Sequence, residues 1–441
     1  MEKKKLSLFD LISIGVGSVI GAGIFSMIGV GIQYSGRSIP LVFVLAMLLT
    51  FAQNLRPFIL SSVFELDGGA YDQNALTLPP VFIGTSALAT VFSNFTMSVF
   101  AISIADYLAQ LLPALTDHKK IIGVIVLTIF YLAAIKGNVF LAKIQNVMIV
   151  CMYAALILFV IFGIVNADPA AVASTPFLPQ GVSGMLMAVA IMSFTCNGAI
   201  NIISLAKDTD EARKKIPYAL ILSSIICAVL YALLGYAATS SLPYDEIAGQ
   251  NLGFIAQHIM PSALYIFFIV GGAIFALATT LVGTVSAMKW PIYSAADDGW
   301  LPAVFKKTSA SGFPWVIMIF MYLLSVIPVI GGFTLESIAS LLIIPLAVMA
   351  IASNILNWNL PKRFPKAWAE NSLHLSLTGY HICLAISTAA ALLIGMLTFV
   401  TLTPGMMIGN IVAMTAVFAF AILRYKSGKV HLHSRDLYKE E

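Results

Sequence analysis

The fold is decided by the stretch Gly15-Val16-Gly17-Ser18-Val19-Ile20-Gly21-Ala22-Gly23-Ile24-Phe25, which lies inside the first long apolar run of the chain. Four of its first nine residues are glycines, and each glycine costs a helix interior roughly 1 kcal/mol relative to alanine. Scattered glycines serve close packing of membrane helices, but the cluster at Gly21-Ala22-Gly23 favours a helix that is unwound at mid-span. Unpaired backbone groups are tolerated at that depth only where they line a cavity or are buried in protein. The stretch therefore predicts a broken first helix.

A second interruption lies in the sixth apolar run, where the sequence Ser193-Phe194-Thr195-Cys196-Asn197-Gly198-Ala199 is polar and contains glycine. Paired interrupted helices at corresponding places in two halves of a chain are the best sequence indication of a transporter substrate site. The amide groups that begin a half-helix carry partial positive charge and favour an anion such as a carboxylate. Freed carbonyl groups favour an ammonium group or a sodium ion. The two interruptions together predict one substrate site built from two broken helices.

The composition is that of a membrane protein. Of the 441 residues, 60% are hydrophobic and 10% are charged, and the mean hydropathy is +0.96, whereas soluble domains carry about 25% charged residues. A soluble core cannot absorb this apolar surface, so the excess is expected to face lipid. The net charge of +4 is small and dispersed, which argues against nucleic acid as a partner. Four cysteines lie in apolar segments without CxxC spacing and are interpreted as small buried apolar residues.

Twelve apolar runs approach or exceed the roughly 20 residues that a membrane helix needs. The predicted spans are 9–34, 40–63, 81–113, 120–138, 141–165, 182–205, 216–241, 262–296, 314–333, 336–360, 375–402 and 404–425. The first ten are expected to form two inverted five-helix repeats, at about 9–165 and 182–360, and two further helices follow at about 375–425. The predicted fold is thus an all-α membrane protein, with one transmembrane domain at 1–425 and a tail at 426–441.

The basic residues orient these spans, because Lys and Arg are enriched in cytoplasmic loops. With a cytoplasmic N-terminus, only Arg37, Lys119 and Lys120 of the 24 Lys and Arg residues lie in outside loops, and Arg56 lies within the second span. Both termini are therefore predicted to be cytoplasmic, in a multi-pass protein of the plasma membrane. The first apolar run continues well past the length of a signal peptide, so an uncleaved first helix is expected.

Four motifs occur in a characteristic order along the chain. They are residues 5–25 (Lys5-Leu6-Ser7-Leu8-Phe9-Asp10 and the glycine-rich stretch), Gly68-Gly69-Ala70-Tyr71, the charged turn at 207–217, and residues 294–302 followed by Pro314-Trp315. In this order they resemble the amino acid–polyamine–organocation (APC) transporters, whose fold is shared by the sodium-coupled leucine transporter. The resemblance covers nearly the whole chain and implies a secondary transporter of amino acids that works by alternating access.

The same resemblance implies how the substrate is held. The backbone N–H groups of residues 22–24 would bind the carboxylate. The carbonyl groups of Val19, Phe194 and Asn197 would bind the α-amino group, and Phe194 would be the aromatic lid. The candidate substrate-binding residues are Val19, Gly21, Ala22, Gly23, Ile24, Phe194, Thr195, Cys196, Asn197, Gly198 and Ala199.

The chain departs from the family pattern at three positions that bear on this site. Cys196 and Ala199 stand where the family often has aromatic residues, so the pocket is expected to be roomier than usual or filled from another helix. Several proton-coupled or exchanging relatives carry a lysine in helix five that stands in for sodium, and Met152 occupies that position here.

A candidate sodium site is implied by the sequence Ala276-Leu277-Ala278-Thr279-Thr280 in the eighth span, which is similar in spacing to the sodium site of the leucine transporter. The five oxygen ligands would be the carbonyls of Gly17, Ile20 and Ala276 and the hydroxyls of Thr279 and Thr280. Threonines in membrane helices usually bond to the preceding turn's carbonyl, so ion-independent exchange stays open beside sodium coupling, with proton coupling as a third mode. No other cofactor is expected.

Ionisable residues inside a membrane are functional candidates by default. Asp106 and Lys289 fall near span ends, where snorkelling explains them, whereas Arg56 either reaches the inner interface or has a function. Asn94 and Ser98 either face the substrate cavity or hydrogen-bond to a neighbouring helix. No acidic residue falls clearly at the predicted midplane, which favours a neutral, zwitterionic amino acid over a cationic one.

Classes of function other than transport differ in how far the sequence supports them. A substrate sensor or a channel on the same scaffold stays open. An enzyme is not expected, because the sequence has no His/Asp/Glu metal cluster, Walker loop or nucleophile elbow. The expected partners are a small amino-acid substrate and the lipid bilayer, and the sequence leaves the oligomeric state undetermined.

Overall fold

The computed structural model describes residues 5–66, 69–135, 138–309, 312–333 and 335–436. Helices dominate these ranges, and an isolated bridge pairs Leu6 with Thr209. The α-helices are α1 Leu8–Val19, α2 Ala22–Ser35, α3 Ile39–Gln53, α4 Leu55–Val63, α5 Gly69–Thr77, α6 Pro80–Ser93, α7 Thr96–Leu111, α8 Lys119–Ile135, α9 Asn138–Val165, α10 Pro169–Ser174, α11 Gly181–Thr195, α12 Ala212–Ser241, α13 Tyr244–Ile247, α14 Leu252–Ile259, α15 Ser262–Phe267, α16 Phe275–Asp297, α17 Trp315–Gly331, α18 Leu335–Leu356, α19 Leu360–Arg363, α20 Pro365–Ala369, α21 Leu377–Thr401, α22 Pro404–Lys426 and α23 His433–Asp436. Short 3₁₀ helices lie at Gly36–Ser38, Pro113–His118, Ala199–Asp208 and Ala303–Lys306, and a π-helical segment at Phe268–Ile274.

Many of these helices are long and apolar enough to cross a membrane. Within the described residues, nine stretches meet both conditions, namely Gly23–Gln53, Pro80–Leu111, Pro113–Ile135, Gln145–Val165, Gly181–Ala206, Ala212–Ser241, Ser262–Asp297, Leu377–Val400 and Pro404–Lys426. Three shorter apolar helices accompany them, at Leu8–Val19, Trp315–Gly331 and Ile344–Leu356. The all-helical, multi-span character expected from the composition is confirmed. The count of twelve spans and the inverted repeat stay predictions.

Both apolar runs that were predicted to be interrupted are broken. Between α1 and α2, Ile20 (φ −76°, ψ 96°) and Gly21 (φ −148°, ψ −147°) leave the helical conformation. In the sixth run, α11 ends at Thr195, and the chain resumes at Ala199 as a 3₁₀ helix.

Helix α1 begins at a capping box, because the Ser7 hydroxyl accepts from the Asp10 amide (3.2 Å) and the Asp10 carboxylate accepts from the Ser7 amide (2.9 Å).

The second predicted span is kinked where a proline interrupts it. Pro57 has no N–H to donate to the Gln53 carbonyl, four residues earlier, and the helix divides into α3 and α4 at Asn54. The Ser387 hydroxyl of α21 donates to that Gln53 carbonyl at 2.7 Å. A side chain from a distant span thus satisfies the backbone group that the proline leaves without a partner.

The broken helices occupy the centre of the helical packing. Helix α1 packs against α12, α16 and the 3₁₀ helix Ala199–Asp208, while α2 packs against α11. Helices α21 and α22 lie farther out, where α21 packs on α18 and α3, and α22 packs on α6. This arrangement puts both breaks, and the backbone groups they free, in the interior of the bundle.

Candidate substrate and cation sites

The two breaks are in direct contact, and two glycines allow that contact. A Cβ atom on Gly198 would lie 2.2 Å from the Ser18 carbonyl oxygen, and one on Gly23 would lie 2.3 Å from the Thr195 Cβ. Real Cβ atoms do not approach other atoms so closely, so backbone meets backbone here only because the side chains are absent. The glycines at the breaks therefore do more than weaken the helices, because they also let the two broken segments form one site.

A cavity of about 340 Å³ lies against both breaks. Seven of the residues predicted from the sequence line it: Val19, Gly21, Gly23, Phe194, Thr195, Asn197 and Gly198. Its size falls within the range typical of small-molecule sites. The structure therefore brings most of the candidate substrate-binding residues to one cavity.

The remaining predicted residues are arranged differently. Cys196 and Ala199 line a separate small cavity of about 20 Å³, between the break and residues of α3 such as Met47 and Thr50. Ile24 is fully buried, so only its backbone N–H is relevant to the prediction. The side chain of Ala22 lies outside the described residues.

The first turn of α2 offers an anion site at the cavity. Helix geometry leaves the amides of residues 22–24 without intrahelical partners, and the N-cap residue Gly21 makes no side-chain capping bond. The partial positive charge of a helix N-terminus is directed at the same place. These are the amides that the resemblance predicts to bind a carboxylate, and that assignment stays a prediction.

Tyr231 of α12 connects the two breaks, and sequence reasoning missed it. Its hydroxyl donates to the Val19 carbonyl at 2.9 Å and lies 3.5 Å from the Thr195 carbonyl. Both carbonyls end a half-helix and lack helical partners. The Tyr231 ring is fully buried and packs edge-on against Phe43 at 5.2 Å. The Val19 carbonyl, predicted to bind the substrate ammonium, therefore has one lone pair engaged and one left for a ligand.

The third span supplies a wall of the cavity. Phe100 of α7 lines it, and so do Thr90, Ser93 and Thr96. The Phe100 ring approaches the break closely, because a Cβ on Gly21 would lie 3.5 Å from it. Phe100 thus lies beside the first break, whereas Cys196 and Ala199 line the separate small cavity.

The described residues that line the cavity are polar or apolar rather than charged. The lining residues from the described part of the chain include hydroxyl, amide and apolar side chains, with no Asp, Glu, Lys or Arg among them. Ala70 of α5 and Ser204 of the 3₁₀ helix Ala199–Asp208 border the cavity at the end that the sequence predicts to be cytoplasmic. A ligand there would meet dipoles and hydroxyls rather than fixed charges.

An aromatic cluster lies at the opposite end of the site. Phe25 follows the first break, and its ring packs on Tyr107 (6.2 Å) and Phe268 (5.7 Å), while Phe268 stacks on Phe159 (5.1 Å). All four side chains are almost completely buried, and the Tyr107 hydroxyl donates to the Phe25 carbonyl at 2.6 Å. We call these four residues the outer plug, since they lie on the side predicted to face outward.

The predicted cation ligands converge beside the first break. The Thr280 hydroxyl lies 3.2 Å from the Gly17 carbonyl, 3.2 Å from the Ile20 carbonyl and 2.9 Å from the Ala276 carbonyl. A hydroxyl has one proton to donate, so it cannot satisfy three carbonyls at once. The Thr279 hydroxyl donates to the same Ala276 carbonyl at 2.8 Å. These five residues form a cluster of neutral oxygens whose chemistry fits a hard monovalent cation.

Other ionisable candidates lie away from the breaks. Asp106 pairs with Lys119 at 2.7 Å, and buried Lys289 lies 6.0 Å from the centre of the Phe313 ring. Arg56 is buried and donates to the Asn74 side chain of α5 at 2.7 Å, so it reaches toward the inner side. Met152, at the position of the family's helix-five lysine, is fully buried.

Asn94 takes part in helix packing. The third span turns at this residue, and its side-chain amide donates to the Met321 carbonyl (2.5 Å) and to the Ser325 hydroxyl (2.8 Å) of α17. The Tyr131 hydroxyl completes the group. Ser98 bonds to the carbonyl of Phe95, within its own helix. Of the two expectations for Asn94, contact with a neighbouring helix is the one observed.

Comparison with known proteins identifies the family of the chain. The family model described as amino acid permease matches residues 6–423. The chain belongs to this family of membrane transporters, and the resemblance to APC transporters seen in its motifs is confirmed.

The individual relatives share 24% to 28% of the aligned residues with this chain. The chain is 24% identical to a methylthioribose transporter of Bacillus subtilis, over 70% of this chain and 70% of the relative. It is 24% identical to the branched-chain amino acid permease BcaP of the same organism, over 69% and 70%. It is 28% identical to the vacuolar cationic amino acid transporter 2 of Arabidopsis thaliana, over 68% of this chain and 51% of that one. These names span neutral and cationic substrates.

Proposed function

We propose that the protein is a secondary active transporter that carries a neutral amino acid across the plasma membrane by alternating access, with the substrate bound between the two breaks. The observation that carries this proposal is the cavity lined by Gly21 and Gly23 at one break and by Phe194, Thr195, Asn197 and Gly198 at the other. Such a site offers one pole for a carboxylate and another for an ammonium group.

In the proposal, backbone donors form one pole of the site and backbone acceptors form the other. The amides of residues 22–24 bind the substrate carboxylate. The carbonyls of Phe194 and Asn197, with the remaining lone pair of Val19, accept from the α-ammonium group. The side chain of the substrate then contacts Phe100 and the hydroxyl residues of the third span. Twelve spans, two inverted repeats and cytoplasmic termini complete the proposed arrangement.

The lining supports a neutral substrate over a cationic one. A buried cationic side chain needs a compensating carboxylate, and none lines the cavity in the described residues. The relatives' names include both a branched-chain amino acid permease and a cationic amino acid transporter, so the choice rests on the lining.

Coupling to sodium is part of the proposal, with exchange as the alternative mode. The fit rests on Thr280, whose single proton faces three carbonyls. Gly17 and Ile20 contribute carbonyls from the end of α1, where helical partners are missing. Sodium bound there would supply positive charge next to the negative end of the α1 dipole. The five residues would hold the broken segment against α16.

Counterflow in proteoliposomes tests the function. Vesicles loaded with one unlabelled amino acid at a time are given the same labelled compound outside, across a panel of neutral, cationic and acidic amino acids. Transient accumulation of one or more neutral amino acids is the expected result. Binding without counterflow indicates a sensor, ion currents far above carrier turnover indicate a channel, and either outcome contradicts the proposal.

A further inference from the structure

Two arginines from distant parts of the chain bind the C-terminal end of helix α5. Arg435, in the C-terminal segment, donates from Nε to the Ala75 carbonyl (3.2 Å) and from Nη2 to the Leu78 carbonyl (2.5 Å). The last carbonyls of a helix have no intrahelical partners and carry partial negative charge. A guanidinium with several donors in a fixed fork suits such a group of acceptors.

Arg363 of α19 binds the two carbonyls that lie between those bound by Arg435. It donates to the Thr77 carbonyl at 2.8 Å and to the Leu76 carbonyl at 3.4 Å. Partial burial lowers the pKa of Arg435 from its ordinary value, and the neighbouring Arg363 lowers it further. Two like charges thus converge on one helix end, which argues that this end is a strong acceptor of cations.

The C-terminal segment reaches α5 by crossing the loop that follows α16. We call residues 427–436 the tail strap. The His431 amide donates to the Asp298 carbonyl at 2.9 Å. Gly299 has φ +88°, and a Cβ there would lie 2.1 Å from the Lys429 carbonyl oxygen, so the strap lies directly on the loop. The Arg424 side chain, just before the strap, donates to the Gly299 carbonyl at 2.8 Å.

The other end of α5 borders the mouth of the cavity. Ala70 lines the cavity, and Gly69 (φ +57°) packs against Ser204 of the 3₁₀ helix that follows the second break. The Tyr71 hydroxyl donates to the buried Asp298 carboxylate at 2.7 Å. One short helix therefore connects the tail strap to the inner rim of the proposed substrate site, over about 13 Å at 1.5 Å per residue.

The two ends of the site indicate in which conformation of the transporter the contacts of the tail strap are present. The four buried rings of the outer plug pack together at one end of the breaks, while Ala70 and Ser204 line the cavity at the other end. We propose that the tail strap fixes α5 at the inner rim and thereby stabilises the inward-facing arrangement of the transporter. This inference rests on the alternating access proposed above.

Cysteine labelling tests the inference without any substrate, so its outcome does not depend on which amino acid is carried. Asn201, at the inner part of the cavity, is replaced by cysteine in a chain whose partly exposed Cys151 and Cys383 are changed to serine. Buried Cys196 and Cys227 remain, and the same chain without Asn201→Cys reports their background. A water-soluble maleimide then reports how often the inner mouth is open.

Arg435→Gln should slow this labelling about threefold, because two hydrogen bonds that favour the inward-facing arrangement are lost. Deletion of residues 427–441 should do the same, and if that variant does not fold, Arg435→Gln alone decides. The matched control is Lys426→Gln, which removes a positive charge from the exposed end of α22. Equal or faster labelling in Arg435→Gln, or an equal slowing in Lys426→Gln, overturns the inference.

Discussion

At the residue scale, the Tyr231 hydroxyl is the group that connects the two breaks. It donates to Val19 and lies near the carbonyl of Thr195, so it orients two backbone groups that the broken helices leave without partners. Its removal should disturb the pole of the site that we propose binds ammonium, while the ring continues to pack on Phe43.

We expect Tyr231→Phe to weaken substrate binding about tenfold, which corresponds to about 1.4 kcal/mol. Equilibrium binding of the amino acid identified by counterflow measures this. Tyr322→Phe is the matched control, because it removes a hydroxyl that lies 2.8 Å from that of Thr128, away from the breaks. Equal affinity in Tyr231→Phe and wild type would show that the hydroxyl does not orient the site.

Thr280 is the second residue whose role can be tested by itself. We expect Thr280→Ala to abolish the stimulation of substrate binding by sodium, because one oxygen ligand is lost, while Thr280→Ser retains most of it. Binding in sodium is compared with binding in choline for each protein. If wild-type binding is the same in both salts, sodium coupling is wrong and exchange becomes the favoured mode.

Sequence alone indicated the glycines and the second break, because each is a local pattern with a known backbone consequence. The Thr280 group was indicated by the resemblance to the sodium site of the leucine transporter. The sequence did not indicate Tyr231 or Phe100. A tyrosine within an apolar run is typical of packing or of an interfacial anchor. Its contact with Val19 depends on how α12 lies against α1, and a single sequence carries no local signal for that.

At the element scale, the third span shows how packing divides a helix that hydropathy presents as continuous. The run predicted at 81–113 turns at Asn94, between α6 and α7. The amide of Asn94 is satisfied by α17, and Tyr131 of α8 joins the same group. The division is thus tied to a polar contact between helices, which periodicity within one span does not reveal.

Asn94→Ala should therefore lower the stability of the protein by about 1 to 2 kcal/mol and leave substrate affinity unchanged. Thermal unfolding in detergent and equilibrium binding measure the two effects. Ser93→Ala is the contrasting variant, since Ser93 lines the cavity and its loss should change affinity more than stability. The opposite pattern would place Asn94 in the substrate site.

The family motifs outside the breaks also acquire a physical role at this scale. Tyr71 of the second motif bonds to Asp298 of the fourth, and a Cβ on Gly84 would collide with the Trp300 ring at 2.3 Å. These contacts hold α5 and α6 against the loop after α16 on the predicted cytoplasmic side. The sequence supplied the motifs, and the contacts between them appear only in the folded chain.

At the scale of the whole molecule, the composition was sufficient to predict an all-helical membrane protein, and the motif order was sufficient to predict its family. Which end of the site is closed could not be predicted. The outer plug combines rings from four separate spans, represented by Phe25, Tyr107, Phe159 and Phe268. Their convergence depends on the packing of the bundle rather than on any one segment.

The central claim is that the substrate binds between the breaks at residues 20–21 and 196–198. Hydrogen exchange followed by mass spectrometry, with and without an amino acid that gives counterflow, tests it most directly, and an amino acid that gives none is the control. The account predicts that the transported compound slows exchange in peptides containing residues 21–26 and 195–201, because both breaks become engaged. Protection confined to other helices, with both of these peptides unchanged, would contradict it.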